Sequence, residues 1–484
     1  MFGKIAIECS RERTRDAMLQ YLQTEQDVRQ NDALLKASEP YRFDDFSRIS
    51  RLLWADYFSK VDSRIYHEGV RYPKHGPGAT ADKLRGNAKY NQSVWTRRLE
   101  EVLPHWENLI PSESFLERMD GVTILEPSDE IPVRVISVPK TLKTPRIIAI
   151  EPTCMQFMQQ GVLAMMVDEM PRFTNTRHFI LFESQEPNQW LAREGSITGA
   201  LATLDLSEAS DRVSNEHVRL LVEPHRLLRE VVDATRSRKA RVLDKVIDLA
   251  KFASMGSALC FPFEAMVFTT IIFIGIEREL GRPIRKKDIE SFYGRVRVYG
   301  DDIVVPVEYV QSVIRELEAF GLKVNTAKSF WTGKFRESCG KEYYDGHEVT
   351  VARMRRTFPN SRRDVEELTS IVSLRDQFFE LAYHDTVRFL DEWIERLIPF
   401  PYVQETSALL GRRSYGPQCQ ETRIDRDLQL PLVKGVVVVS QSPTSLLDDY
   451  GALMKWFLKR GREPFLDLNH LQRAGRPRSA RIKT

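Results

Sequence analysis

The stretch that most constrains this chain is Val298-Tyr299-Gly300-Asp301-Asp302-Ile303-Val304-Val305. Arg295 to Tyr299 alternates polar with apolar residues, and Ile303 to Val305 is a short apolar run. A Gly-Asp pair between two such runs predicts a tight β-hairpin, with two adjacent carboxylates at its tip. Like charges side by side in an apolar hairpin are costly unless they are paired or hold a cation. Hard divalent ions take oxygen ligands, and Mg²⁺ uses one or two carboxylates while leaving its other positions to water and phosphate oxygens. That is the construction of a two-metal phosphoryl-transfer site. An exposed turn explains the same residues, since Gly and Asp are ordinary turn formers, so the rest of the chain has to decide.

With 484 residues the chain is too long for one compact unit, and several subdomains are expected. Its 42% hydrophobic and 29% charged residues describe a soluble globular protein. The 71 basic and 68 acidic residues leave a net charge of only +3, so a nucleic-acid surface would need the two signs segregated. Cys9, Cys154, Cys260, Cys339 and Cys419 show neither CxxC nor zinc-finger spacing, which argues against a disulfide framework or a zinc site and suits a reducing cytosol. Met1 to Ser10 predicts no signal peptide, and the most apolar run, Phe268 to Ile276, is shorter than the ~20 residues that cross a bilayer.

In chain order, residues 1 to about 125 read as helices and loops, broken by Gly and Pro between Tyr72 and Thr80. Lys74, Lys83, Arg85 and Lys89 gather there with Tyr72 and Tyr90, a mixture that suits single-stranded RNA and equally a solvated loop. Two β-rich runs between Arg134 and Pro152 flank a Pro-bounded loop. Arg134, Lys140, Lys143 and Arg146 are the charges between Val133 and Ile150, and such a hairpin suits a nucleotide triphosphate. In Ala200 to Asp211 an apolar strand runs into a polar turn. Asp205 interrupts the strand, where a carboxylate needs a partner and metal ligation is favoured; Asp211 fits either a site role or a helix cap. Arg236 to Arg241 reads as a charged, solvated helix face. Ser254-Met255-Gly256 leads into a helix running to Ile276 and ending near Gly281, with small residues permitting close backbone approach to a ligand and Glu264 standing out among apolar neighbours. Val310 to Phe320 predicts an amphipathic helix packed on a sheet. Lys323 and Lys328 flank a short strand end, Ser361 to Ile398 is helical in pattern, and the basic stretch Arg473 to Lys483 reads as an untethered terminus.

The order of these pieces resembles the palm of viral RNA-dependent RNA polymerases. More narrowly, the chain resembles the replicase catalytic (beta) subunit of single-stranded RNA bacteriophages, the Qβ-like levivirus group. The residues that carry the likeness are Lys143 with Ile148 to Pro152, Asp205-Leu206-Ser207 with Ala209-Ser210-Asp211, Ser254-Met255-Gly256, Tyr299-Gly300-Asp301-Asp302, and Phe335 to Lys341, a span of roughly residues 70 to 350. The resemblance implies an α+β right-hand polymerase with fingers, an antiparallel-sheet palm and a helical thumb. Residues 1–199 would form the fingers and N-terminal region, including the basic hairpin 131–152. Residues 200–214 and 251–345 would form the palm, 215–250 a fingers insertion, and 346–484 the thumb and basic tail.

By the same resemblance, Asp205 and Asp301 would hold two Mg²⁺ ions, which Mn²⁺ can replace, with Asp302 as a further ligand or electrostatic support. Lys140, Lys143 and Arg146 would grip the triphosphate. Asp211 with Ser254 would read the ribose hydroxyls, Gly256 and Glu264 would line the nucleotide site, and Lys328, with Lys323 as its rival, would donate a proton to pyrophosphate. Many related viral polymerases carry asparagine where this chain has Glu264, which alters ribose sensing rather than reaction class. The implied partners are single-stranded RNA template, nascent RNA and rNTPs, with host elongation factors Tu and Ts and a ribosomal protein, in the cytoplasm of a bacterial host. A reverse transcriptase shares the carboxylates but places an aromatic gate five positions after the first aspartate, where this chain has Ser210. A non-catalytic RNA-binding scaffold would have no need of all three aspartates.

Overall fold

The computed structural model describes residues 5, 8–71, 73–76, 78–141, 144–404, 407–415, 423–429, 431–440, 447–460 and 480–483. The architecture is α+β. Two long helices, α1 (Arg11–Ser38) and α2 (Tyr41–Glu68), open the chain. The basic hairpin follows as β1 (Val133–Val138) and β2 (Arg146–Ile150), paired antiparallel with Arg134 opposite Ile150. Next come α3 (Thr153–Glu169), α4 (Glu186–Thr198), β3 (Leu201–Ser207), α5 (Asn215–Val222), α6 (Arg226–Thr235), β4 (Lys239–Val242) and β5 (Lys245–Asp248). β4 runs parallel to β1, giving a sheet in the order β2-β1-β4-β5. Val133, Val135, Ala149, Ala240 and Val242 of this sheet pack with Met18 and Tyr21 of α1.

The stretch Arg236 to Arg241 is therefore not a helix but runs into β4; Arg238 and Arg241 are exposed as expected, whereas Arg236 turns inward. Arg236 is buried and donates to the carbonyls of Leu249, Lys251 and Phe252. A guanidinium offers five donors in a fixed fork, enough to satisfy several backbone carbonyls at once, so its charge serves as a structural tie.

Helix α7 (Cys260–Leu280) is the centre of the main core. It is long and apolar enough to cross a membrane by length and composition, but 94% of its apolar window is buried inside the protein. The run Phe268 to Ile276 is only its middle, so length alone misjudged it; apolarity on all sides here marks a core helix. The predicted hairpin is present as β6 (Arg297–Tyr299) and β7 (Asp302–Pro306). With β8 (Lys323–Val324) it builds an antiparallel sheet in the order β8-β3-β7-β6. The amphipathic helix α8 (Val310–Ala319) lies chiefly along α7 rather than on a sheet, with Val313 and Leu317 fully buried. A helix apolar all round needs apolar neighbours on every side, and α8 supplies one.

Beyond these, β9 (Phe335–Ser338) and β10 (Lys341–Tyr344) pair antiparallel beside α4. Helices α9 (Val365–Glu380) and α10 (His384–Glu395) anchor a second, smaller core with Leu368, Ile371, Ile394, Phe400 and Val436. This last region is not purely helical. A three-stranded sheet joins β11 (Leu409–Leu410) to β12 (Val436–Ser440), and past α11 (Asp449–Arg460) the terminal β13 (Ala480–Lys483) pairs with β12. The end of the basic tail is thus tied into a sheet, while Arg473 to Ser479 falls outside the described residues.

Candidate active site

Strand register assembles the acidic centre. Asp205 on β3 sits directly opposite Asp302 on β7, and Tyr299 pairs with Asp302, leaving Gly300 and Asp301 as the two loop residues. Gly300 has φ 62°, and a Cβ there would lie 2.6 Å from Cε2 of Phe261. The turn therefore requires glycine for both backbone and space. Asp301 is exposed at the tip.

Asp205 Oδ2 accepts from Asn325 Nδ2 at 2.8 Å and Lys328 Nζ at 3.3 Å. Burial pushes its carboxyl above the usual carboxylate range, with Lys328 pulling it down and Asp301 pushing it up. Asp302 Oδ1 accepts the Cys339 N–H at 2.9 Å and faces Ser338 Oγ at 3.4 Å, and burial raises its carboxyl to about 6. Among the described residues no three His, Cys, Asp or Glu side chains converge to hold one ion. The donors still fit a hard divalent cation: they are oxygens only, Asp205 and Asp301 repel one another through space, and Asp301 faces water.

The basic hairpin is brought to this centre. Lys140 is solvent-accessible, yet enough protein surrounds its ammonium that desolvation lowers its pKa; Arg146 and Lys328 lower it further, and Asp301 and Asp205 oppose them. Lys140, Arg146, Lys328, Asp205 and Asp301 therefore share one electrostatic neighbourhood. Lys143 lies outside the described residues. Of the two rival lysines, Lys328 reaches Asp205, whereas Lys323 acts on Asp27.

A second polar group adjoins the first. Asp211 stands in the short 3₁₀ turn Ala209–Arg212, where its Oδ1 accepts from Ser254 Oγ at 2.8 Å and Lys251 Nζ at 3.3 Å. Helix α5 is capped by Ser214, whose Oγ accepts the Glu216 N–H, so Asp211 is not the cap. Glu264, buried in the first turns of α7, has its carboxyl pushed well above the ordinary range by burial, with Asp301 and Asp211 adding to the rise. Gly256 is exposed, yet its φ is 132° and a Cβ would collide with the Ala149 carbonyl oxygen, so only glycine fits there. The Met255 carbonyl accepts the Ala149 N–H at 2.9 Å, so this segment is joined to β2 on one side while Met255 and Gly256 stay exposed on the other.

The basic and aromatic stretch around residues 74–90 loses one of its members as an RNA contact. Lys89 is buried and donates to the carbonyls of Gly76 and Gly78, bracing the loop; Tyr72 and Pro77 lie outside the described residues. Sequence reasoning missed Tyr21, Lys251 and Asn325. Lys251 had a local sign, a lone lysine between Ala250 and Phe252-Ala253; Tyr21 had none, because its partner is distant in sequence.

Fold and site together define an α+β protein in which an acidic hairpin of an antiparallel sheet is faced by a basic hairpin from another sheet. The chain belongs to the RNA replicase, beta-chain family, which matches residues 129–371. It is 31% identical over 293 residues to the RNA-directed RNA polymerase subunit beta of Qbeta virus (strain MX1), covering 60% of this chain and 46% of that protein. It is 38% identical over 219 residues to the subunit of the same name from Escherichia virus Qbeta, covering 45% of this chain and 34% of that one. The matches thus span less than half the length of these curated relatives. Among solved structures, the BmCPV RNA-dependent RNA polymerase at elongation state superposes with a TM-score of 0.41 at 9% identity, over 68% of this chain and 31% of that chain, a likeness too distant to carry detail.

Proposed function

We propose that this chain is an RNA-dependent RNA polymerase, the catalytic subunit of a phage replicase that copies a single-stranded RNA genome from rNTPs. The observation that carries the reading is the register placing Asp205 opposite Asp302, with Asp301 at the tip and Lys140 in the same electrostatic neighbourhood. Family membership and the relatives' names support it. In this reading the sheet β8-β3-β7-β6 with residues 200–214 and 251–345 is the palm. Residues 1–199, with the insertion 215–250, are the fingers, and 346–484 is the thumb.

The oxygen donors of Asp205 and Asp301 would hold Mg²⁺, which supplies charge neutralisation at the reacting phosphate and acidifies the attacking 3′-hydroxyl. Asp302, fixed by the Cys339 N–H, contributes negative potential from behind. Lys140 and Arg146 bind the triphosphate as cations; Lys143 belongs to the same proposal. Lys328 holds a proton within reach of Asp205 and would pass it to the leaving pyrophosphate. Asp211 with Ser254 accepts the ribose hydroxyls, Gly256 fixes the segment that carries Ser254, and Glu264 lines the wall beneath. Host elongation factors Tu and Ts and a ribosomal protein are the proposed partners, in the cytoplasm of the bacterial host.

The small Ser210, five residues after Asp205, leaves room for a 2′-hydroxyl and favours ribonucleotides over the reverse-transcriptase alternative. The test is template-dependent extension by the purified chain with Mg²⁺ and either rNTPs or dNTPs, with host factors added in parallel. Faster rNTP incorporation is expected; faster dNTP incorporation, or no synthesis under any condition, overturns the reading.

A further inference from the structure

Resting on the polymerase reading, we infer that the N-terminal helix α1 completes the ribose end of the site, with Tyr21 and Lys251 as positioning residues that aim Asp211 at the sugar. Helix α1 lies outside the residues that match the family, so this element is not part of the matched catalytic segment.

Hydrogen-bond direction carries the argument. Ser254 has one hydroxyl proton, and it is directed at Asp211 Oδ1 at 2.8 Å, since a carboxylate can only accept. Tyr21 Oη lies 2.9 Å from the same Ser254 Oγ, so Tyr21 must donate to Ser254. The chain of donors therefore runs from Tyr21 through Ser254 to Asp211, with Lys251 Nζ adding a second donor to Oδ1 at 3.3 Å. Oδ1 is filled by two protein donors, and among the described residues Oδ2 has none. Ser254 has no proton left to donate and one lone pair left to accept with, so Asp211 Oδ2, a charged oxygen without a protein donor among the described residues, is the stronger acceptor for a ribose hydroxyl.

Helix α1 holds Lys251 in this pose. Tyr21 and Glu25 are one turn apart on one face; Nζ of Lys251 stands 3.6 Å from the centre of the Tyr21 ring and 3.8 Å from Glu25 Oε2. Lys251 is fully buried, so it acts through Asp211 and not on substrate. A buried ammonium held by a carboxylate on each side and a ring face has little freedom to move, which fixes Oδ1 and hence the direction of Oδ2.

Tyr21→Phe keeps the ring under Lys251 and deletes only the donor to Ser254. The measurement is kcat/KM for an rNTP and its 2′-deoxy analogue in wild type, Tyr21→Phe, Ser254→Ala and the double variant, with thermal denaturation alongside. We expect Tyr21→Phe to lower the rNTP:dNTP ratio roughly fivefold, the scale of one neutral hydrogen bond, through a higher KM for rNTP at unchanged Tm. The double variant should lose no more than Ser254→Ala alone. An unchanged ratio, with both nucleotides falling alike or neither falling, would make Tyr21 merely structural and overturn the inference. Absence of incorporation in the wild type would instead sink the polymerase reading, and this one with it. Lys251→Arg, which keeps the charge, should retain more of the ratio than Lys251→Met; equal ratios in the two would count against the role of Lys251.

Discussion

Each carboxylate in the centre is set apart by its neighbours. Asp205 is held by Asn325 and Lys328, Asp302 by the Cys339 N–H, and Asp301 is left at the exposed tip. The three were legible in sequence because carboxylates beside apolar β-runs are rare without a purpose, but the groups that hold them were not, since Asn325 and Cys339 come from distant segments. Glu151 shows what burial does away from the centre. It is buried, accepts from Ser237, and its carboxyl is pushed up by desolvation to about 7. The folded chain then binds more protons at Glu151 than the unfolded chain between about pH 4.5 and 7. The favourable contribution is complete below the unfolded pKa and is lost as pH rises through the folded one. Glu151→Gln, which preserves shape and hydrogen-bonding capacity, should therefore flatten the fall in stability across that window, by about 1.4 kcal/mol per pH unit at most. Denaturant melts at pH 5 and pH 8 read this directly; parallel slopes in variant and wild type would contradict it.

At the level of elements, the two hairpins were the most legible parts, because alternation of polar and apolar residues with Gly or Pro between the runs leaves few other solutions. β4 was not, because the charges of Arg236 to Arg241 resemble a solvated surface until Arg236 is seen tied to three carbonyls. The same applies to Lys89: a buried cation bound to backbone carbonyls leaves no periodic trace. The join between the elements is the Met255 carbonyl on the Ala149 N–H, at which Gly256 has no room for a side chain. Gly256→Ala must force the Ser254 segment off β2. We predict a loss of roughly 1–3 kcal/mol in stability, as for overpacking of a filled site, together with weaker rNTP binding, because the segment carries the partner of Asp211. Thermal denaturation and nucleotide titration check both; wild-type values for each would mean the join tolerates a Cβ.

Across the whole molecule, one large core organised by α7 carries the acidic sheet, and a second core holds the C-terminal helices and sheet. The first was legible from the apolar run after Ser254-Met255-Gly256, and its end at Gly281 was read correctly from the glycine and proline that follow. The second was legible only as helices, since the strands Val436–Ser440 and Ala480–Lys483 are paired across a long stretch of chain and short strands carry little periodicity. What the molecule as a whole brings together is one electrostatic neighbourhood shared by hairpins far apart in sequence, acidic on one side and basic on the other, and the proposed chemistry depends on it. The most direct test is Mg²⁺-dependent incorporation of labelled rNTPs on a single-stranded RNA template, comparing wild type with Asp301→Asn, each with and without host factors. The account predicts synthesis by the wild type and a loss of ~100-fold or more in Asp301→Asn, with thermal stability and RNA binding retained. Equal synthesis by both proteins would show that the hairpin carboxylate has no part in the reaction and would contradict the account.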